Sequence, residues 1–288
     1  MAPSSLFKFF NKSATNNQAT YESIFRGRVK FTPIAELNDP AEFNPILNRE
    51  VVEASLEHLR SKGHSEADLL ELNRQGAMFR ALAPDHMAVP IPESREKADA
   101  LIRSAFYDQT AILERRLISM AKEIASRVGV FCLSKSFKSL PMWAHYADNA
   151  DGFVVEYNDL GKSFKGDETG VLMQLGDVIY ENEIKGVTFD PSSYRSLFFS
   201  KNGDWDYERE VRIVLPLSKC GVLESGSGKF YFFDLPCACV RRVILGWNMP
   251  EAVVEAIKDA VAAANPCATV VHAQFHRGEV RIAGEKLY

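Results

Sequence analysis

The sequence predicts an α+β protein: a mixed, twisted β-sheet core carrying an inserted helical subdomain. Three observations lead there. Short runs rich in β-branched and aromatic residues recur from Leu6 to Phe275, and they alternate with turn residues as strands do. A block from about 46 to 127 abandons that pattern for helical spacing, with Val51, Val52, Leu56 and Leu59 at its start. Late in the chain a strand, a helix and a strand follow one another (240 to 245, 249 to 264 and 268 to 275), the sign of a parallel crossover. The chain of 288 residues is therefore read as one domain over 1 to 288 with the helical block inserted.

Taken in order, Leu6 to Phe10 is a short strand and Asn11 to Asn17 a polar loop. A brief helix over Tyr21 to Phe25 stops at Gly27, and Val29 to Thr32 is the next strand. Asn38-Asp39-Pro40 with Glu42 makes a rigid turn, because Pro40 pushes Asp39 out of helical geometry. An Asx turn, with Asp39 bonded to nearby backbone, explains that stretch without invoking function. In the helical block Ser65 to Asp68 has the layout of a capping box. A long helix from Ser94 places Leu101, Ile102, Phe106, Leu113, Leu117 and Ala121 on one apolar face.

Val128 to Ser134 reads as a buried strand, and Pro141 suits the first turn of a short helix carrying Trp143, His145 and Tyr146. Phe153 to Tyr157 returns as a strand. Val171 to Leu175 and Val178 to Tyr180 are strand pieces, and Glu224 to Lys229 is a hairpin region before the aromatic strand Phe230 to Leu235. The stretch Asn202 to Leu217 holds the densest chemistry. If it is a strand, period-two alternation throws Glu208, Glu210 and Arg212 to one face. Trp205, Tyr207, Arg209, Val211 and Ile213 then take the other face. Two carboxylates beside a guanidinium form either an ordinary ion pair at a solvated strand end or a tuned site.

Composition excludes several classes. A formal net charge of −4 argues against a protein that coats nucleic acid. No apolar run nears the ~18 residues of a membrane span, and the start lacks a signal-peptide layout. Five cysteines at scattered spacing fit reduced thiols in a cytoplasm, or a protein delivered into another cell without a cleaved signal. Cys237-Ala238-Cys239 has no second cysteine pair for zinc. Neither a phosphate loop nor a nucleophile elbow is present.

Three motifs occur in order: Asn38-Asp39-Pro40-x-Glu42; Phe131-Cys132-Leu133-Ser134 followed by Met142-Trp143-x-His145-Tyr146-Ala147 and Gly152-Phe153; and Lys201 with Trp205-x-Tyr207-Glu208-x-Glu210-x-Arg212. Together they closely resemble the bacterial family called domain of unknown function 2971, as does the late Val243-Ile244-Leu245-Gly246. Phenylalanine in Leu6 to Phe10 stands where such proteins often show tyrosine. The family name implies no activity.

The layout is also similar to ADP-ribosyltransferase-like folds, toxins among them. That resemblance implies an enzyme acting on nicotinamide adenine dinucleotide (NAD), with a protein or nucleic-acid acceptor and a role as toxin, effector or phage defence. It implies Glu210 as the ribose carboxylate, with Glu208 orienting the acceptor. Tyr146 or Trp143, beside His145, would stack on nicotinamide, Ser134 would support the strand, and Arg212 or Lys8 would meet the pyrophosphate. Asp39 is counted with the binding residues. Two alternatives stay open: a magnesium-dependent nuclease using Asp39, Glu42, Glu208 and Glu210, and a non-catalytic binding module with Trp143 and Trp205 as platform.

Overall fold

A computed structural model describes residues 5–37, 39, 43, 110–164, 174–182, 196–226 and 228–284. The chain divides into two compact units. The first combines Met1–Thr32, Val130–Val178 and Gly203–Tyr288; the second combines Pro33–Gly129 and Ile179–Asn202. Most of the helical insertion expected at 46 to 127 lies outside the described residues. The capping box at Ser65 lies there too. Of the long helix expected from Ser94, the described part is α2 (Thr110–Arg127).

The first unit is built on the sheet. Its strands are β1 (Ser5–Phe10), β2 (Arg28–Pro33), β3 (Val128–Ser134), β4 (Phe153–Asn158), β5 (Gln174–Asp177), β8 (Glu210–Pro216), β9 (Gly221–Ser225), β10 (Gly228–Asp234), β11 (Val240–Leu245), β12 (Thr269–His276) and β13 (Glu279–Ile282). The order is β13-β12-β11-β4-β1-β3-β2-β10-β9, with β8 joining β3 to β5. A single helical turn, α4 (Leu160–Ser163), follows β4. The crossover expected late in the chain is present: β11 and β12 are parallel, linked by α5 (Glu251–Ala264). Val254, Ile257, Ala260 and Val261 form the buried stripe of that helix, the spacing that turns one side of a 3.6-residue helix inward. The fold is therefore α+β with a mixed sheet.

Two apolar layers cover the sheet. On one face α1 (Gln18–Phe25) and α5 pack on Phe131, Leu133, Val155, Val211, Ile213 and Leu215. Asn17 starts α1, its side chain accepting the Ala19 N–H at 2.9 Å, the usual way to satisfy an orphan donor at a helix start. On the other face α3 (Leu140–Tyr146) sets Met142 and Trp143 against Phe7, Phe9, Val154 and Ile244. A left-handed turn, Asp148 to Ala150 with φ of 46°, 53° and 66°, returns the chain from α3 to β4. Glycine is obligatory beside it. A Cβ on Gly152 would sit 2.0 Å from the Phe10 carbonyl oxygen, and one on Gly246 2.0 Å from that of Ala150.

The second unit contains α2, whose last turn begins the approach to β3, and a small parallel pair of β6 (Ile179–Glu181) with β7 (Ser200–Asn202). Among the described residues no helix is long and apolar enough to cross a membrane.

Candidate functional site

A cluster of buried polar side chains in the first unit forms where β3 ends and β8 begins. The expected strand does not reach back to Glu208. A 3-10 helix occupies Gly203–Glu208, Arg209 takes φ 45°, and β8 starts at Glu210. A non-glycine residue in the left-handed region costs about 1 kcal/mol or more, so this corner is held from outside. The Ser134 hydroxyl donates to the Glu208 carbonyl at 2.6 Å and accepts the Ser136 N–H at 3.2 Å. The Lys135 N–H donates to the Arg209 carbonyl at 3.0 Å, and the Val178 N–H to that of Glu210 at 3.0 Å. Ser134 thus ties the end of β3 to the backbone at Glu208.

The two glutamates consequently have different surroundings. Glu210 and Arg212, two apart on β8, share a face and are 4% and 2% exposed. Arg212 Nε donates to Glu210 Oε1 at 2.9 Å and Nη2 to Oε2 at 3.0 Å, the bidentate fork of a guanidinium on an ionised carboxylate. Alternation sends Val211, Ile213 and Leu215 into the opposite apolar layer, as expected. Glu208, 3% exposed, accepts instead from the Tyr146 hydroxyl at 2.5 Å. That length lies in the range of a hydrogen bond with a charged acceptor. Tyr146 ends α3 and is half-buried, so α3 and the glutamates meet on one side of the sheet.

Two sequence expectations need correcting. Trp143 is not an open stacking ring: it is 1% exposed. Its indole N–H donates to the Phe137 carbonyl at 2.6 Å, and its ring meets Phe9 edge-on at 5.5 Å and Trp247 at 5.3 Å. It positions α3. Lys8 does not share the face of Arg212. It lies directly across from Val155, a member of the opposite layer, with its ammonium 5.7 Å from the Phe131 ring centre. His145 is exposed, its ring 6.2 Å from that of Tyr207, which is 6.1 Å from that of Trp205. Asp39 is buried at 6% exposure and belongs to the second unit. Asn38, Pro40 and Glu42 lie outside the described residues.

Sequence reasoning passed over Cys132. It stands two before Ser134 on β3, and so on the same face. Burial first, and the Glu210 charge second, push its thiol far above the usual range. The signal was present in the alternation of Phe-Cys-Leu-Ser, where every second residue shares a side. Among the described residues no three His, Cys, Asp or Glu side chains gather as a metal ion's ligands.

Residues 142–213 match the model of the family described as "Protein of unknown function (DUF2971)". The matched segment begins in α3 and ends in β8, so it spans Tyr146, Glu208, Glu210 and Arg212, and the family resemblance of the motifs holds there. No curated protein and no solved structure matches the chain.

Proposed function

We propose that the first unit of this chain transfers ADP-ribose from NAD, with Glu208 as the working carboxylate and Glu210, forked onto Arg212, as its support. The observation that carries this reading is the unlike treatment of the two glutamates. Glu210 has both oxygens committed to Arg212. Glu208 meets a half-buried phenol at the end of the aromatic helix. Pairs of acidic groups set in contrasting environments are how one site divides the work of charge stabilisation and support.

In the proposed reaction the bond between ribose C1′ and the nicotinamide nitrogen breaks, and its electron pair leaves with nicotinamide, which becomes neutral. Positive charge develops on the ribose, where an ionised Glu208 stabilises it. A lone pair of the acceptor then forms the new bond to C1′; with water as acceptor, the proton passes to solvent. Tyr146, donating to Glu208, fixes the carboxylate. The ribose role therefore moves from Glu210 to Glu208. Of the side chains expected to hold the dinucleotide, Tyr146 bonds Glu208 and His145 stands exposed beside it. A magnesium-dependent nuclease would need Glu210 oxygens that already accept from Arg212.

Purified full-length chain incubated with NAD is expected to release nicotinamide, measurable by chromatography. Glu208→Gln should slow release by about 100-fold, roughly 3 kcal/mol of transition-state stabilisation, while NAD still raises the melting temperature. Wild-type turnover in folded Glu208→Gln removes the assignment. Absence of NAD binding by the parent removes the reading altogether and leaves a binding module for some other ligand.

A further inference from the structure

We infer that Arg241 and Arg242, gathered on Glu156 by a bulge in β11, form a binding site for a phosphate-bearing ligand. The pairing of β11 with β4 sets Val240 against Tyr157 and Arg242 against Glu156, with a register shift between Val240 and Arg242. Arg241 is therefore an extra residue. A strand without the bulge would send consecutive arginines to opposite faces, whereas here both reach one carboxylate. Arg242 Nε donates to Glu156 Oε2 at 2.6 Å, and Arg241 Nη1 to Oε1 at 3.4 Å. Bulges bend a strand locally and re-aim its side chains.

The second arginine is surplus to the needs of Glu156. That carboxylate is 2% exposed and already has one partner on each oxygen, Arg242 on Oε2 and the Ser5 hydroxyl on Oε1 at 2.7 Å. A single arginine would neutralise it; two leave one positive charge. The guanidinium of Arg241 is 59% exposed and that of Arg242 24%, so the excess charge faces water. The long Arg241 contact is the weak member, and such exposed pairs add little stability. Thr269, exposed on β12, is the direct neighbour of Arg242 in the parallel ladder, which brings a hydroxyl to the same face.

Two planar forks anchored by one carboxylate, with a hydroxyl beside them, match the several oxygens of a phosphate better than the single plane of a carboxylic acid. Glu156 holds the Arg242 guanidinium in place before any ligand arrives, which lowers the ordering cost of binding. This site is independent of the reading of Glu208, because it asks only for phosphate oxygens.

The test is calorimetric titration of the full chain with inorganic pyrophosphate and, separately, with adenosine monophosphate, using sodium chloride at matched ionic strength as the control. At least one phosphate compound should bind, and Arg241→Gln should weaken it by about 10-fold or more without changing the melting temperature of the unliganded chain. Arg241→Lys, which keeps the charge and loses the fork, should fall between. Tighter binding of the nucleotide would identify a nucleotide phosphate as the natural ligand; tighter binding of pyrophosphate would identify a free phosphate compound. Heat no greater than with chloride for both compounds overturns the proposal. So does unchanged affinity in Arg241→Gln.

Discussion

Glu210→Gln is the substitution that most directly tests why the centre of the first unit is charged. The side chain keeps its shape but loses the charge that Arg212 faces, and the pair is 4% and 2% exposed, so water cannot replace it. Removing one member of such a buried pair costs about 3–5 kcal/mol, because the guanidinium loses its charged, bidentate partner where water does not reach. Glutamine can still accept one of the two hydrogen bonds now made at 2.9 and 3.0 Å, which returns about 1 kcal/mol. The expected loss is therefore about 3 kcal/mol, a large part of a typical total of about 5–15 kcal/mol. Arg212→Met should cost a similar amount. The double variant removes both charges and should fall short of the sum by about 2 kcal/mol or more. Urea unfolding followed by tryptophan fluorescence measures this cleanly. Trp143, Trp205 and Trp247 are the three tryptophans of the chain, and all three lie in the first unit with the pair. Losses below about 1 kcal/mol for both single variants, or strict additivity in the double, would refute the reasoning.

Other expectations follow from neighbouring features. Tyr146→Phe removes the hydroxyl from Glu208 and should cost about 1–3 kcal/mol of stability if Glu208 stays ionised, read from the same urea curves; an unchanged midpoint would deny that bond any importance. Gly246→Ala places a Cβ 2.0 Å from a backbone oxygen of the turn at Ala150, and should lower soluble yield or cost more than about 3 kcal/mol, whereas Gly226→Ala, with nothing near its Cβ, should be tolerated. Thiol labelling at pH 8 should modify the exposed Cys237 and Cys267 first. Burial raises Cys220 to about 11 and Cys132 further still, so both stay protonated and slow until the pH is raised or the chain unfolds. Mass spectrometry of the labelled peptides reports the order, and early modification of Cys132 would contradict its placement.

Much of the sheet was legible because strand and helix periods are local properties of the chain. β3 announces itself by a near-continuous apolar run, and β4 and β11 by apolar runs that only Glu156 and the Arg241–Arg242 pair interrupt. α5 shows its inward stripe at Val254, Ile257 and Val261, and the order strand–helix–strand forces a parallel crossover. The corner at Arg209 was not legible: one left-handed residue ended the alternation that otherwise tied Glu208 to Glu210, and no side chain in the stretch demands that conformation. It is imposed from β3, through Ser134 and the Lys135 N–H.

What the sequence determined by itself, then, is which residues alternate within each strand, and so that Glu210 and Arg212 lie together and Val211 and Ile213 opposite them. The phase between strands, by contrast, comes only from their pairing. Lys8 has the same alternating neighbours whichever side it takes, but pairing with β4 sets it beside Val155 and away from Arg212. Trp143 could have been a platform or a core ring until Phe9, Phe137 and Trp247 closed around it. Arg241 reaches Glu156 only because a register shift with β4 breaks the alternation. In each case the deciding interaction joins residues far apart in the chain, and pairing register between distant strands leaves no trace in the periodicity of either one.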